Sequence, residues 1–273
     1  MSFSRRQFIA TVGIAGAITL ANGKTLPTDD ASRYVRLRSA SAGKPAMWVY
    51  AGVMLVKPEG QVAKPIVGMA GVTFTRALQR SPGVYDWQLD EVGYYLDLET
   101  GAVVNSMINP FNKTVVEPPH YRAPENLTFM GSKVMSRASL PPEMDFNGQI
   151  TRLADLAGLS AMTEDMYLNM PAQQATDEKP ARPARQLASL KTYTARSADL
   201  DRPGDHWIDC QFSYCTMNTF ASWLDMSDVS GVQNMRLAGT KCRLSDTEAI
   251  PGWFAERVAS DHPDFLKLPL SWK

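Results

Sequence analysis

From Met47 onward the chain is a succession of short apolar runs separated by turn formers. That punctuation constrains the fold more than any other feature. Residues 47–56 end at Lys57-Pro58-Glu59-Gly60, and residues 66–78 end at Ser81-Pro82-Gly83. Residues 84–96 end at Asp97-Leu98-Glu99-Thr100-Gly101, and residues 102–108 at Asn109-Pro110-Phe111-Asn112-Lys113. Strand-length runs broken by Gly, Pro, Asn and Asp predict an antiparallel meander. Gly101 supplies the positive φ that a short hairpin loop needs.

Further strands are predicted over residues 127–136, 164–170, 189–195, 207–217 and 231–238. The pattern is clearest in 207–217, where Ile208, Cys210, Phe212 and Tyr214 alternate with Asp209, Gln211, Ser213 and Cys215. A period of two buries one face and wets the other. Helices are few. Residues 251–260 carry an apolar stripe of Trp253, Phe254 and Val258, with Pro251 in the first turn and His262-Pro263 as a stop. Residues 153–159 read as a short helical turn. The expected fold is mainly β: a single-domain antiparallel β-barrel or strongly curved sheet, lipocalin-like in architecture, with a short C-terminal helix.

The N-terminus reads as an address. Ser4-Arg5-Arg6-Gln7-Phe8-Ile9 matches the bacterial twin-arginine signal. Residues 9–21 are uncharged and mildly apolar, right for a signal core and short of the ~20 residues that span a bilayer. Ala21-Asn22-Gly23 places cleavage after Gly23, so residues 1–23 form the expected signal peptide. Its removal takes two arginines and no acid. The expected location is the periplasm or the exterior, with the twin-arginine export machinery as a partner and no stable membrane anchor. Residues 24–45, polar and punctuated by Pro27 and Pro45, read as an N-terminal arm. Residues 46–273 read as one β-rich domain with a flexible loop at 171–188, either a plain insertion or a lid.

Composition removes several functional classes. Lys+Arg and Asp+Glu number 28 each, so no surplus charge exists for nucleic acid or an anionic membrane. Three cysteines cannot form a disulfide framework, although Cys210 and Cys242 could meet across strands. Cys210 and Cys215 would lie roughly 17 Å apart on opposite faces of a strand. With only His120, His206 and His262 present, no metal site is expected. No motif indicates a cofactor, although twin-arginine export is used by cofactor proteins among others. Ser41-Ala42-Gly43-Lys44 spells Ser-x-x-Lys but falls in the arm, opening no helix.

Several pieces together resemble the family called domain of unknown function 1838. They are Arg36-Leu37-Arg38 ahead of Trp48 and Gly52, then Tyr95-Leu96-Asp97, Thr100-Gly101-Ala102-Val103 and Asn109-Pro110-Phe111. Trp223-Leu224-Asp225-Met226, Gly231, Gly239-Thr240-Lys241, Pro251 and His262-Pro263-Asp264-Phe265-Leu266 follow. The resemblance implies a compact β-rich domain, often exported by the twin-arginine route. It implies no reaction.

Aromatic side chains fall on or beside the predicted strands, where they either fill a barrel or line a pocket for an apolar ligand. Tyr94 and Tyr95 are adjacent and face opposite sides, so one should point inward. Among the interleaved acids, an inward Asp90 or Glu91 would be a buried carboxylate with a raised pKa and acid–base potential. The candidate catalytic residues are Tyr95, Asp97, His120 and His206. The candidate ligand-binding residues are Trp48, Trp87, Asn109, Tyr214, Trp223 and Lys241. The expected function is acid–base chemistry on a small hydrophobic or aromatic molecule, as an isomerase, lyase or hydrolase. The alternative is a non-catalytic periplasmic carrier of an apolar ligand, which predicts a chamber without buried charge.

Overall fold

The computed structural model describes residues 29–40, 43–138, 140, 144–172, 184–204 and 206–271. The expected signal segment 1–23 and residues 173–183 of the expected loop lie outside them, as does part of the Ser-x-x-Lys sequence.

Ten strands close into an antiparallel barrel. They are β1 (Ala46–Pro58), β2 (Lys64–Ser81), β3 (Val84–Leu96), β6 (Tyr121–Met130), β7 (Lys133–Ser136), β8 (Asp145–Arg152), β9 (Leu159–Met170), β10 (Arg185–Arg196), β11 (Gln211–Asn218) and β12 (Gly231–Cys242). Between β3 and β6, a small hairpin of β4 (Met107–Ile108) and β5 (Val115–Val116) stands apart from the barrel. Each barrel strand pairs with its successor, with β3 passing directly to β6, and β1 pairs with β12 to close the ring. This is the up-and-down meander that the turn punctuation predicts. Closure leaves the barrel itself no free sheet edge.

Alternation holds around the ring and sorts the side chains. Trp48 and Tyr50 of β1, Thr73 and Thr75 of β2, Leu89, Glu91 and Tyr95 of β3, and Phe212 and Tyr214 of β11 all line the interior. Their neighbours Met47, Val72, Phe74, Val92 and Tyr94 point outward into a separate apolar cluster. The C-terminal helix α3 (Gly252–Asp261) covers that outer face with Phe254 and Val258, and Phe265 joins them. The sequence places Pro251 in the first turn; it stands as the N-cap. A final turn, α4 (Leu268–Ser271), ends the described chain.

Several local expectations are revised. The arm over 24–45 contains a nine-residue helix, α1 (Asp30–Arg38), opened by the Asp29 carboxylate accepting from the Ala31 amide at 3.1 Å. Its Ala31, Tyr34, Leu37 and Arg38 are buried in the interior cluster with Trp87, Phe129 and Tyr193. The helix reads as polar because three of its residues are arginines, yet two of those are buried and ion-paired. Residues 127–136 form parts of two strands joined at Gly131, whose φ is 57°. Residues 185–188 belong to β10 and not to the loop. Residues 153–159 hold no helix; Leu156 and Leu159 make a bridge. The short α2 (Ser197–Asp201) follows β10 and packs beside α1. All three cysteines are free, so Cys210 and Cys242 do not pair.

Candidate functional site

Inside the barrel lies a cavity of about 420 Å³. Its wall is mostly aromatic and aliphatic, with charged side chains from Arg38, Glu91, Glu125 and Lys191. That volume suits a small organic molecule.

One wall carries a hydrogen-bonded group from three strands. Tyr50 on β1 donates its hydroxyl to Glu91 Oε1 on β3. Tyr121 on β6 reaches the same oxygen at 3.1 Å, and the two tyrosine hydroxyls lie 2.8 Å apart. Burial is the largest influence on Glu91 and raises its pKa above the ordinary carboxylate value. Hydrogen bonds from the tyrosines and the charge of Lys191 oppose the rise without cancelling it. Burial, and then the neighbouring carboxylate, push both phenols well above their usual range, so they act as donors.

Glycine places these rings. Tyr50 pairs with Gly71, Gly71 with Gly93, and Gly93 with Tyr121, so all four face inward at one level. A Cβ on Gly71 would stand 2.0 Å from the Tyr50 hydroxyl oxygen, and one on Gly93 would stand 2.5 Å from that of Tyr121. The missing side chains let the rings lie flat across β2 and β3, with their hydroxyls at Glu91.

The α1 end of the cavity is an ion cluster. Arg38 donates to Glu164 Oε2 at 2.6 Å, and Tyr34 donates to the same oxygen at 2.7 Å. Lys191 lies 3.0 Å from Glu164 Oε1 and 3.8 Å from Glu125 Oε2. Burial opposes charge on Lys191, but Glu125 and Glu164 more than offset it, so the ammonium is held above the ordinary lysine pKa. Burial likewise opposes ionisation of Glu164, and Arg38 and Lys191 reverse it, holding the carboxyl down to about 2. The Arg38 guanidinium also stacks 4.1 Å from the Trp87 ring centre and 4.9 Å from that of Tyr193. Lys191 sits on β10, five strands from the β3 of Glu91 in either direction around the ring.

The structure disperses the residues chosen from sequence. Tyr95, Trp48 and Tyr214 line the cavity. Trp87 is fully buried beneath Arg38 and lies behind the lining. Trp223 packs against Tyr95, with ring centres 5.4 Å apart. His120 stands behind the wall, where its Nδ1 accepts from the Tyr95 amide at 3.4 Å. Burial, and then Arg257, lower its pKa. Asp97 is exposed and organises a turn, accepting from the Glu99 and Thr100 amides at 3.1 and 2.8 Å. Gly101 completes that turn at φ 70°. Asn109 is buried and donates to the Leu224 carbonyl at 2.7 Å, tying the segment before β5 to the turn at Ser222–Leu224. Lys241 donates to the carbonyls of Leu37 and Ser39 at 2.9 and 3.1 Å, capping the C-terminus of α1. His206 binds the Asp199 carbonyl at 2.8 Å beside Trp207 and Arg243, away from the cavity.

Sequence reasoning named Glu91 only as an acid that would matter if it pointed inward. It passed over Tyr50, Lys191 and Glu164, named Arg38 only as part of the family-like Arg36-Leu37-Arg38, and met Tyr121 only beside His120, in a Glu117, His120, Tyr121 and Arg122 cluster at a strand end. The available signal was parity: Tyr50 shares a face with Trp48, and Glu91 with Tyr95.

Fold and cavity together define a closed up-and-down β-barrel with an internal chamber that carries titratable groups. The chain belongs to the family described as protein of unknown function (DUF1838), whose model matches residues 43–273. No curated protein matches it. Among solved structures, Ail, the attachment invasion locus protein of Yersinia pestis, is similar at 8% identity, covering 74% of this chain and 99% of its own, with a TM-score of 0.26.

Proposed function

We propose that the barrel interior is the active site of an exported enzyme that moves protons on a small hydrophobic or aromatic molecule. The observation that supports this reading best is the convergence of Tyr50, Glu91 and Tyr121 within hydrogen-bond reach on an apolar wall. A desolvated carboxylate with a raised pKa is a stronger base than an ordinary glutamate and can both take and return a proton. The reaction these groups support without another reactant is isomerisation. Glu91 takes a proton from the carbon beside a carbonyl, and the C–H electron pair shifts to place charge on the carbonyl oxygen. A tyrosine hydroxyl donates to that oxygen and stabilises it. The proton then returns to a different carbon. A passive carrier, the other reading of the sequence, needs no ionisable group in its chamber.

Deuterium uptake tests the chemistry. Incubated in D₂O with a panel of small aromatic and alicyclic ketones, the protein is expected to speed mass gain at the carbon beside the carbonyl. No acceleration with any member would sink the enzyme reading.

Export rests on Ser4-Arg5-Arg6-Gln7-Phe8-Ile9. Changing Arg5→Lys and Arg6→Lys together is expected to hold the protein in the cytoplasm, read by cell fractionation and immunoblotting. An unchanged periplasmic yield would remove the twin-arginine route.

A further inference from the structure

We propose that the chamber selects an uncharged ligand bearing a carbonyl or hydroxyl oxygen and excludes the matching carboxylate. The reason is that both cations of its wall are already matched by carboxylates. This rests on the reading of the chamber as a ligand site.

The charged side chains lining the cavity are Arg38, Glu91, Glu125 and Lys191. Behind them lies Glu164, fully buried, which holds Arg38 at 2.6 Å and Lys191 at 3.0 Å. Glu125 approaches Lys191 from the β6 wall at 3.8 Å. Two cations therefore face two carboxylates before Glu91 is counted. An ionised Glu91 adds a negative charge, and a protonated one adds none. In neither state is a cation left over for an incoming anion, and an unmatched charge in a desolvated site is strongly disfavoured. The nearby Lys241 is spent on the carbonyls of α1, and Arg122 is spent outside on Asp90 and Asp264.

Neutral donors remain. Tyr193 and Tyr214 line the cavity, and neither hydroxyl has a hydrogen-bond partner among the described residues. Tyr193 is 5% exposed, so its hydroxyl has little bulk water to turn to. Tyr214 pairs directly with Lys191 across β10 and β11 and shares its inward face. A carbonyl or hydroxyl oxygen can accept from these phenols without disturbing the ion cluster.

Matched probes test the inference by calorimetry and tryptophan fluorescence at pH 7. One set is 2-acetylnaphthalene, 2-naphthoate and 1-(2-naphthyl)ethylamine; the other is 2-undecanone with undecanoate. The ketone is expected to bind at least about tenfold tighter than its carboxylate. Glu125→Gln, at a side chain 30% exposed, should leave Lys191 with Glu164 as its one carboxylate partner among these, shared with Arg38. It is expected to raise carboxylate affinity relative to the ketone by about tenfold. A carboxylate or amine that equals or beats its ketone on the unmodified protein overturns the inference and leaves the chamber as a ligand site. An unshifted ratio in Glu125→Gln overturns it in the same way. If no probe of either set binds, the chamber reading falls and this inference falls with it.

Discussion

Glu91→Gln is expected to abolish proton exchange into the ketone panel, with a fall of about 10²–10⁴. The amide keeps the shape and can still accept from Tyr50 and Tyr121, but it cannot hold the transferred proton. Binding of an uncharged ligand should survive, because Glu91 is one face of a chamber lined largely by apolar side chains. The pH profile supplies an independent check. Burial raises the Glu91 pKa, so the carboxylate needed as base appears only above the ordinary glutamate value of about 4.3. Activity should therefore rise with pH along a limb displaced upward from that value, and the limb should vanish in Glu91→Gln. The same shift has a stability consequence. A carboxyl whose folded pKa is raised favours the folded state at low pH, and the benefit is lost as pH rises through the folded value. Exchange that persists in Glu91→Gln would move the chemistry to another residue.

Glu164→Gln carries the second large effect, on stability. Glu164 is fully buried and accepts from Arg38 and Tyr34 while facing Lys191. Neutralising it leaves two buried cations against Glu125 alone, a loss of about 3–5 kcal/mol. For a domain of this size the melting temperature should fall by roughly 10 °C. The double replacement of Arg38→Met with Glu164→Leu removes both members of the closest pair and should recover much of the loss. Acid should act as the mutation does. The Glu164 pKa is lowered to about 2, so its contribution is complete above the unfolded value of about 4.3 and disappears as pH falls toward 2. Glu164→Gln should therefore flatten the acid limb of the stability curve. A melting temperature within a degree or two of the parent would show that the cluster does not anchor α1.

The two residues act on one chamber in different ways. Arg38 sits at the C-terminal end of α1, and its carbonyl accepts from Trp48 Nε1 at 3.0 Å. Loosening Glu164 thus loosens the helix that closes this end of the cavity, together with one of its aromatic walls. A Glu164 variant should weaken ligand binding and melting together. A Glu91 variant should separate chemistry from both.

Much of the architecture was legible in sequence. Turn residues after the first three apolar runs placed the breaks that follow β1, β2 and β3, while residues 102–108 keep only the two-residue β4, and Gly101 adopts the positive φ its hairpin was expected to need. The choice between Tyr94 and Tyr95 followed from parity once the sheet closed: Tyr95 faces the cavity, and Tyr94 packs against Phe254 at a ring distance of 5.3 Å. Parity could not say which polar residues would meet. Lys241 was chosen as a polar residue in a family-like segment, yet its ammonium is taken up by α1 carbonyls. That helix was itself hidden, because buried arginines read as solvent-facing until their carboxylates are located.

Chain order alone therefore decided the alternation of faces, the meander and the glycine positions, since each is a local property of backbone and side-chain size. Closure through β1 and β12 decided the rest. The β1–β2–β3 pairing brings Tyr50 to Glu91 across 41 residues, and closure around the interior brings Arg38 to Glu164 across 126. Contacts of that span are set by which strands become neighbours and by the exclusion of water around them. Neither quantity is written in any stretch of sequence short enough to read by pattern.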